Sequence, residues 1–145
     1  MKTIIIIRPD AVLRGLVGEI ITRFEKHGIR LAGLKIARMS RKMAEDLYVQ
    51  HIGKPFYEPL VHTMTTNPSV LVVLDTDVLD QSSAIALARK IIGETDPAKA
   101  DMGTIRGDFG LRIDQNIIHS SDSKESAERE IPLFFIKEEL VKYEE

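Results

Sequence analysis

Residues 4–7 read Ile-Ile-Ile-Ile. A strand with one wet face alternates apolar and polar side chains; an unbroken β-branched run reads instead as a central strand buried on both faces. Pro9 ends it, because proline has no N–H to give to a ladder. Arg8 therefore stands at the end of a buried strand, where it reads either as a cation facing a site or as a strand-terminal surface arginine. Beyond it, Leu16, Val17, Ile20, Ile21 and Phe24 recur at helical spacing opposite Arg23, Glu25 and Lys26. Gly28 is the left-handed stop of that helix, and His27 suits its dipole. Residues 29–39 read as a second strand. Ser40 is placed to cap a short helix reaching about residue 50, with Met43 and Leu47 inward. Gly53-Lys54-Pro55 makes a turn. The next helix carries Phe56, Leu60, Val61 and Met64 on one stripe, leaves His62 on the surface and breaks at Asn67-Pro68. Residues 69–74 form a third strand. A helix from about residue 79 to 92 turns Ile85, Ala88 and Ile92 inward, holds Arg89 in its last turn and is capped by Gly93. Ile117 and Ile118 make a brief fourth strand. Ser121-Asp122 opens a helix to about residue 130, and residues 133–136 with a charged tail to Glu145 follow. The order is a β-α-β-β-α-β unit with insertions. It predicts an α+β, ferredoxin-like sandwich, a four-stranded antiparallel sheet covered by helices, in a single domain over residues 1–145.

Residues 93–122 break the pattern. They show almost no periodicity before Ile117, and unstructured connections beyond about 12–15 residues are usually functional or disordered. Ile105, Phe109, Leu111 and Ile113 give the segment apolar anchors and argue for order. Thr95, Thr104, Arg106 and Asn116 are donors suited to phosphate or sugar. His119, ending a short apolar run near such donors, has the chemistry of a nucleophile or a general base. Arg8, Arg89 and Arg106 each lie near an element end or in this segment, and guanidinium groups match phosphate oxygens in pairs. Tyr48, His51 and Phe56 gather around the 53–55 turn; on composition alone Phe56 reads as core and His51 as a solvated loop residue.

The chain has 145 residues, no cysteine and a net charge of -2. Disulfides and thiolate metal sites are thereby excluded. No basic surplus points to nucleic acid. The early apolar run is too short for a membrane span or a signal peptide. A cytoplasmic protein acting on a small molecule is expected. Glycine-loop phosphate motifs, the G-x-S-x-G elbow and zinc-helix histidine spacing are all missing, so phosphate would be handled by side chains.

Arg106-Gly107-Asp108-Phe109 and Asn116-Ile117-Ile118-His119-Ser120-Ser121-Asp122-Ser123 strongly resemble nucleoside diphosphate kinases. So do Arg8-Pro9-Asp10-Ala11-Val12, Gly93-Glu94-Thr95 and the segment from Tyr48 to Lys54-Pro55-Phe56, in the same order over nearly the whole chain. The resemblance implies ping-pong transfer: a nucleoside triphosphate phosphorylates His119, and a nucleoside diphosphate then takes the phosphoryl group. Imidazole is largely neutral near pH 7 and offers a lone pair. Glu130, with Ser121 beside it, would hold the proton of the other ring nitrogen. Arg89, Arg106, Thr95 and His51 would hold the phosphates, and Tyr48 would lie next to His119. Asn116 would bond the sugar hydroxyl, while Phe56 and Ile113 would sandwich the base by its flat face. Mg²⁺ would bridge the phosphates, with Asp122 reaching it through water.

The departure that matters is Arg8, where the family has a lysine that contacts the sugar hydroxyl and the moving phosphoryl group. Arginine is longer, planar and forked, so slower turnover is expected. Met102 for a frequent proline and Ser120 for a frequent glycine are milder departures. Two other readings stand beside the kinase: a nucleotide-binding or regulatory protein whose transfer step is impaired by Arg8, and an RNA-binding module of the same strand order. The second requires exposed sheet aromatics and a basic face, yet only 6% of residues are aromatic. The resemblance further implies a homo-oligomer, a tetramer or hexamer of dimers, and the short ending after Tyr143 resembles the bacterial or archaeal form.

Overall fold

The computed structural model describes residues 2–76 and 79–144. Four strands, β1 (Lys2–Ile7), β2 (Arg30–Ala37), β3 (Ser69–Asp75) and β4 (Ile118–Ser120), form one sheet in the order β2-β3-β1-β4. Every neighbouring pair is antiparallel. The helices are α1 (Pro9–Leu13), α2 (Val17–Glu25), α3 (Arg41–Leu47), α4 (Tyr57–Thr66), α5 (Gln81–Ile92), α6 (Ile105–Phe109) and α7 (Lys124–Phe134), with short 3-10 turns at Val49–His51 and Lys137–Glu139.

The isoleucine run accounts for the layering. Side chains alternate across a strand, so Ile5 and Ile7 enter a core with Ile20 and Phe24 of α2 and Ala88 and Ile92 of α5. Ile4 and Ile6 enter a second core on the other face, with Ala44, Leu47, Val61, Met64 and Phe134. All four isoleucines are fully buried. Each such side chain is worth about 1.5–3 kcal/mol over an exposed one, so the run anchors β1 between the two cores.

Several local expectations are corrected. Pro9 does end β1, but it also opens a helix of its own, α1, at the position where its missing N–H costs nothing. The second strand is shorter at both ends than residues 29–39. Met43 is exposed; the buried stripe of α3 falls on Ala44 and Leu47. Phe56 is half-exposed and is not core. Residues 93–122 contain the helix α6, capped by Thr104. The last helix is capped by Ser123, two residues after Ser121, and runs on to Phe134 through Pro132. His119 lies within β4 and Ile117 precedes that strand with a φ of 65°. His27 places Nδ1 2.9 Å from the Arg23 carbonyl at the end of α2. The tail crosses the edge strand: Val141 N–H donates to the Ala32 carbonyl at 2.8 Å. A Cβ on Gly33 would lie 2.8 Å from Leu140 Cδ2, so a side chain there would push the tail's Leu140 aside. The expected tail reaches Glu145, which lies outside the described residues.

Candidate active site

β1 and β4 pair so that Ile6 faces His119 and Ile7 faces Ile118. The central strand thus delivers Arg8 and the adjacent strand delivers His119 to the same end of the sheet. α7 packs on β1 and brings Glu130 beneath the histidine. His119 Nε2 and Glu130 Oε1 are 2.7 Å apart, with side chains 19% and 4% exposed. A carboxylate oxygen accepts, so Nε2 carries the ring proton and Nδ1 keeps its lone pair. The Ser121 hydroxyl donates to the same Oε1 at 3.2 Å. Tyr48, at the end of α3, meets the imidazole edge-on with ring centroids 5.7 Å apart. Burial pushes its phenol up to about 12, against the pull of Arg8, so it remains a hydroxyl beside the ring.

His119, Glu130, Tyr48, His51, Ser120, Asp122 and Arg129 are among the residues lining one cavity of about 100 Å³. Drug-sized ligands fill pockets of about 300–1,000 Å³, so this hollow alone is smaller than such a pocket. His51 stacks on Tyr48 with centroids 6.0 Å apart and meets Phe56 at 5.1 Å. Burial, then Lys54 and His119, lower the His51 pKa, which keeps that ring neutral. Phe56 and Ile113 both present exposed apolar surface, as a base-stacking role requires.

The cations are arranged unequally. Arg8 is buried, which removes its reading as a surface residue. Its guanidinium donates to Asp10 Oδ1 at 3.1 Å, to Asn116 Oδ1 at 2.9 Å and to the Asp114 carbonyl at 3.0 Å. Arg106 donates to the carbonyls of Asn116 at 3.3 Å, Gly93 at 3.1 Å and Ile118 at 2.7 Å. A guanidinium has five N–H groups, so two remain for a ligand. Burial, with Arg89 and Arg8 adding to it, pulls its pKa down to about 10. Such mutual repulsion is relieved when an anion arrives. Arg89 is exposed in the last turn of α5. Asn116 also donates from Nδ2 to the Thr95 carbonyl at 3.3 Å. Thr95 itself is exposed. Thr104 is otherwise engaged: its hydroxyl donates to the Asp101 carbonyl and accepts from the Gly107 N–H. It caps α6 and is not a ligand donor.

The family model described as nucleoside diphosphate kinase matches residues 1–140. The nucleoside diphosphate kinase of Thermococcus kodakarensis is 51% identical over 145 residues, covering 98% of this chain and 80% of that relative.

The chain belongs to the nucleoside diphosphate kinase family.

The kinase of Pelotomaculum thermopropionicum is likewise 51% identical, over 98% of this chain and 92% of its own. Among solved structures, a halophilic nucleoside diphosphate kinase from Halobacterium salinarum in complex with CDP superposes with a TM-score of 0.93 at 37% identity, over 100% of this chain and 93% of that one. This membership carries nucleotide binding, nucleoside diphosphate kinase activity and use of a divalent metal. Among the described residues no helix is long and apolar enough to cross a membrane.

Among the described residues no group of three or more His, Cys, Asp or Glu side chains could hold a metal ion. The donor set suits a hard cation carried in by phosphate oxygens with at most one protein carboxylate. Asp122 fits that role: it is exposed at the cavity, and a hydrogen bond from Ser126 holds it below the usual carboxylate range. Two contributors escaped the sequence reading. Asp10 bridges Arg8 to the Ile117 N–H, accepted at 3.1 Å by Oδ2. Arg129 lines the cavity, donates to the Asp46 carbonyl at 2.8 Å and lies 3.5 Å from Glu130 Oε2. The only signals available were a carboxylate two residues after an arginine and an arginine next to Glu130.

Proposed function

We propose that this chain transfers the terminal phosphoryl group of a nucleoside triphosphate to a nucleoside diphosphate through a phosphohistidine on His119. The observation that carries the reading is the 2.7 Å bond between His119 Nε2 and the buried Glu130 carboxylate, which leaves Nδ1 as the nucleophile. Nδ1 attacks the terminal phosphorus, the bond to the leaving oxygen breaks, and its electron pair departs on the diphosphate. The ring then holds both the phosphoryl group and the Nε2 proton; its positive charge is offset by Glu130. A second diphosphate attacks in the reverse sense and regenerates the imidazole. Phosphoryl transfer of this kind rests on positioning and charge stabilisation.

Arg106, Arg89, Thr95 and His51 are assigned to the phosphates, and Tyr48 and Ser121 to steadying His119 and Glu130. Asn116 is assigned to the sugar hydroxyl through its remaining Nδ2 hydrogen, and Phe56 and Ile113 to the faces of the base. CDP in the Halobacterium relative supports a diphosphate acceptor. Mg²⁺ would be held by phosphate oxygens and, through water, by Asp122, and would neutralise charge on the phosphates. Arg8 is assigned the lysine's place, with slower turnover, because its planar fork is spent on Asp10, Asn116 and Asp114. We assign the activity to one domain over residues 1–145, in a cytoplasmic homo-oligomer, a tetramer or hexamer of dimers.

Incubation with γ-labelled triphosphate tests the reading. Acid-labile, base-stable label on the protein, absent from His119→Gln, is expected. Undiminished transfer by His119→Gln would overturn it. The same experiment separates the kinase from a nucleotide-binding protein of the same scaffold, which would take no label.

A further inference from the structure

α6 is a helix of 5 residues, far too short to be stable by itself. It nonetheless positions Arg106, whose guanidinium ties together the carbonyls of Gly93, Asn116 and Ile118. Those carbonyls belong to the end of α5, to the sugar-facing asparagine and to the residue before His119. Something outside the segment must fix the orientation of this helix.

We infer that Arg23, on α2, is a positioning residue for Arg106. Its Nη1 lies 2.7 Å from Asp108 Oδ2 and donates to the Gly103 carbonyl at 3.1 Å. The guanidinium also lies 5.0 Å from the centroid of the Phe109 ring. One side chain of α2 thereby grips α6 at its approach and in its last turn. Its own orientation is fixed by Glu19, whose Oε1 accepts from Nε at 3.2 Å. Asp108 completes the clamp by accepting from the Gly103 N–H at 2.9 Å through Oδ1. Arg14 adds a second hold from the α1 side, donating to the Phe109 carbonyl at 2.7 Å. α6 and the segment before it are in close backbone contact: a Cβ on Gly107 would lie 1.9 Å from the Asp101 carbonyl oxygen. Release of Arg23 frees this unit to shift and carries Arg106 off the phosphates. A displacement of about 1 Å at such a group can cost on the order of 10²-fold in rate.

The inference rests on the phosphate role assigned above to Arg106. The test compares Arg23→Gln, Arg23→Lys, Asp108→Asn and the Arg23→Gln/Asp108→Asn double variant in the full chain, well below their unfolding temperatures. His119→Gln is run alongside. Expected are a fall of about 10- to 100-fold in kcat/KM for Arg23→Gln and partial rescue in Arg23→Lys. The double variant should cost no more than the worse single one, and the pH profile should stay where it is because the pair of His119 and Glu130 is untouched. Should Arg23→Gln fail to fold, Asp108→Asn, which keeps the shape of the side chain, decides alone through the same fall. Lower thermal stability with kcat/KM within about twofold of the parent would show a purely structural role and overturn the inference; so would additive losses in the double variant. If His119→Gln retains activity, the reading of the active site falls instead.

Discussion

Replacing Glu130 by glutamine isolates what the carboxylate does for His119. The new side chain has nearly the same shape, and Glu130 is only 3% exposed, so little rearrangement is available. If the amide oxygen takes the place of Oε1, both present donors, His119 Nε2–H at 2.7 Å and the Ser121 hydroxyl at 3.2 Å, still find an acceptor. What is lost is charge. A hydrogen bond to a charged group contributes about 1.5–3 kcal/mol and a neutral one about 0.5–1.5 kcal/mol. The exchange therefore removes on the order of 1–2 kcal/mol as the ring becomes positive, a slowing of about 5- to 30-fold. If the amide flips, its N–H₂ faces Nε2 and forces the proton to Nδ1, which removes the nucleophilic lone pair. Arg129, 3.5 Å from Oε2, disfavours the unflipped form by setting two donors against each other. A total slowing on the order of 10- to 100-fold is thus expected in the first half-reaction. Rapid-quench measurement of phosphoenzyme formation at saturating labelled triphosphate reads that step directly, with the melting temperature as a control for folding. Phosphorylation within twofold of the parent rate in a folded variant would refute the reasoning.

Two further outcomes follow from buried side chains. Arg8→Lys frees the Asn116 amide oxygen and sets a compact charge at the strand end, so steady-state turnover should rise, by up to about a hundredfold; equal or lower turnover would show that the fork of Arg8 is no hindrance. Tyr48 has a phenol pushed up to about 12 by burial; the folded chain then keeps a proton that the unfolded chain releases above about pH 10, and stability drops between those values by at most about 3 kcal/mol. Urea unfolding from pH 9 upward should show a smaller alkaline loss in Tyr48→Phe, and an identical loss would contradict the assignment.

What the sequence reveals follows the strength of the physical signal. β1 is legible because its isoleucines have no polar partner to alternate with, and the four-stranded order follows from the helices between the strands. α1 is not, since Pro9 signals a strand end and a helix start equally well, and its 5 residues are too few to show a period. α6 escapes for the same reason. Met43 misleads because the favoured stripe lies one position along, on Ala44 and Leu47. At the site, His119 is visible as the end of an apolar run. Its bond to Glu130 depends on the docking of β4 against α7, 11 residues apart in sequence, and only the resemblance pointed to it. The work of Arg106 on backbone carbonyls and the clamp formed by Arg23 have no periodic signature at all, because they depend on how a loop closes in three dimensions.

The ring nitrogen that carries the phosphoryl group tests the proposed chemistry most directly. With Nε2 bound to Glu130, the label should reside on Nδ1 of His119, as read by phosphorus–nitrogen correlation in the trapped, ¹⁵N-histidine-labelled phosphoenzyme. Phosphate on Nε2, or on any other side chain, would contradict it.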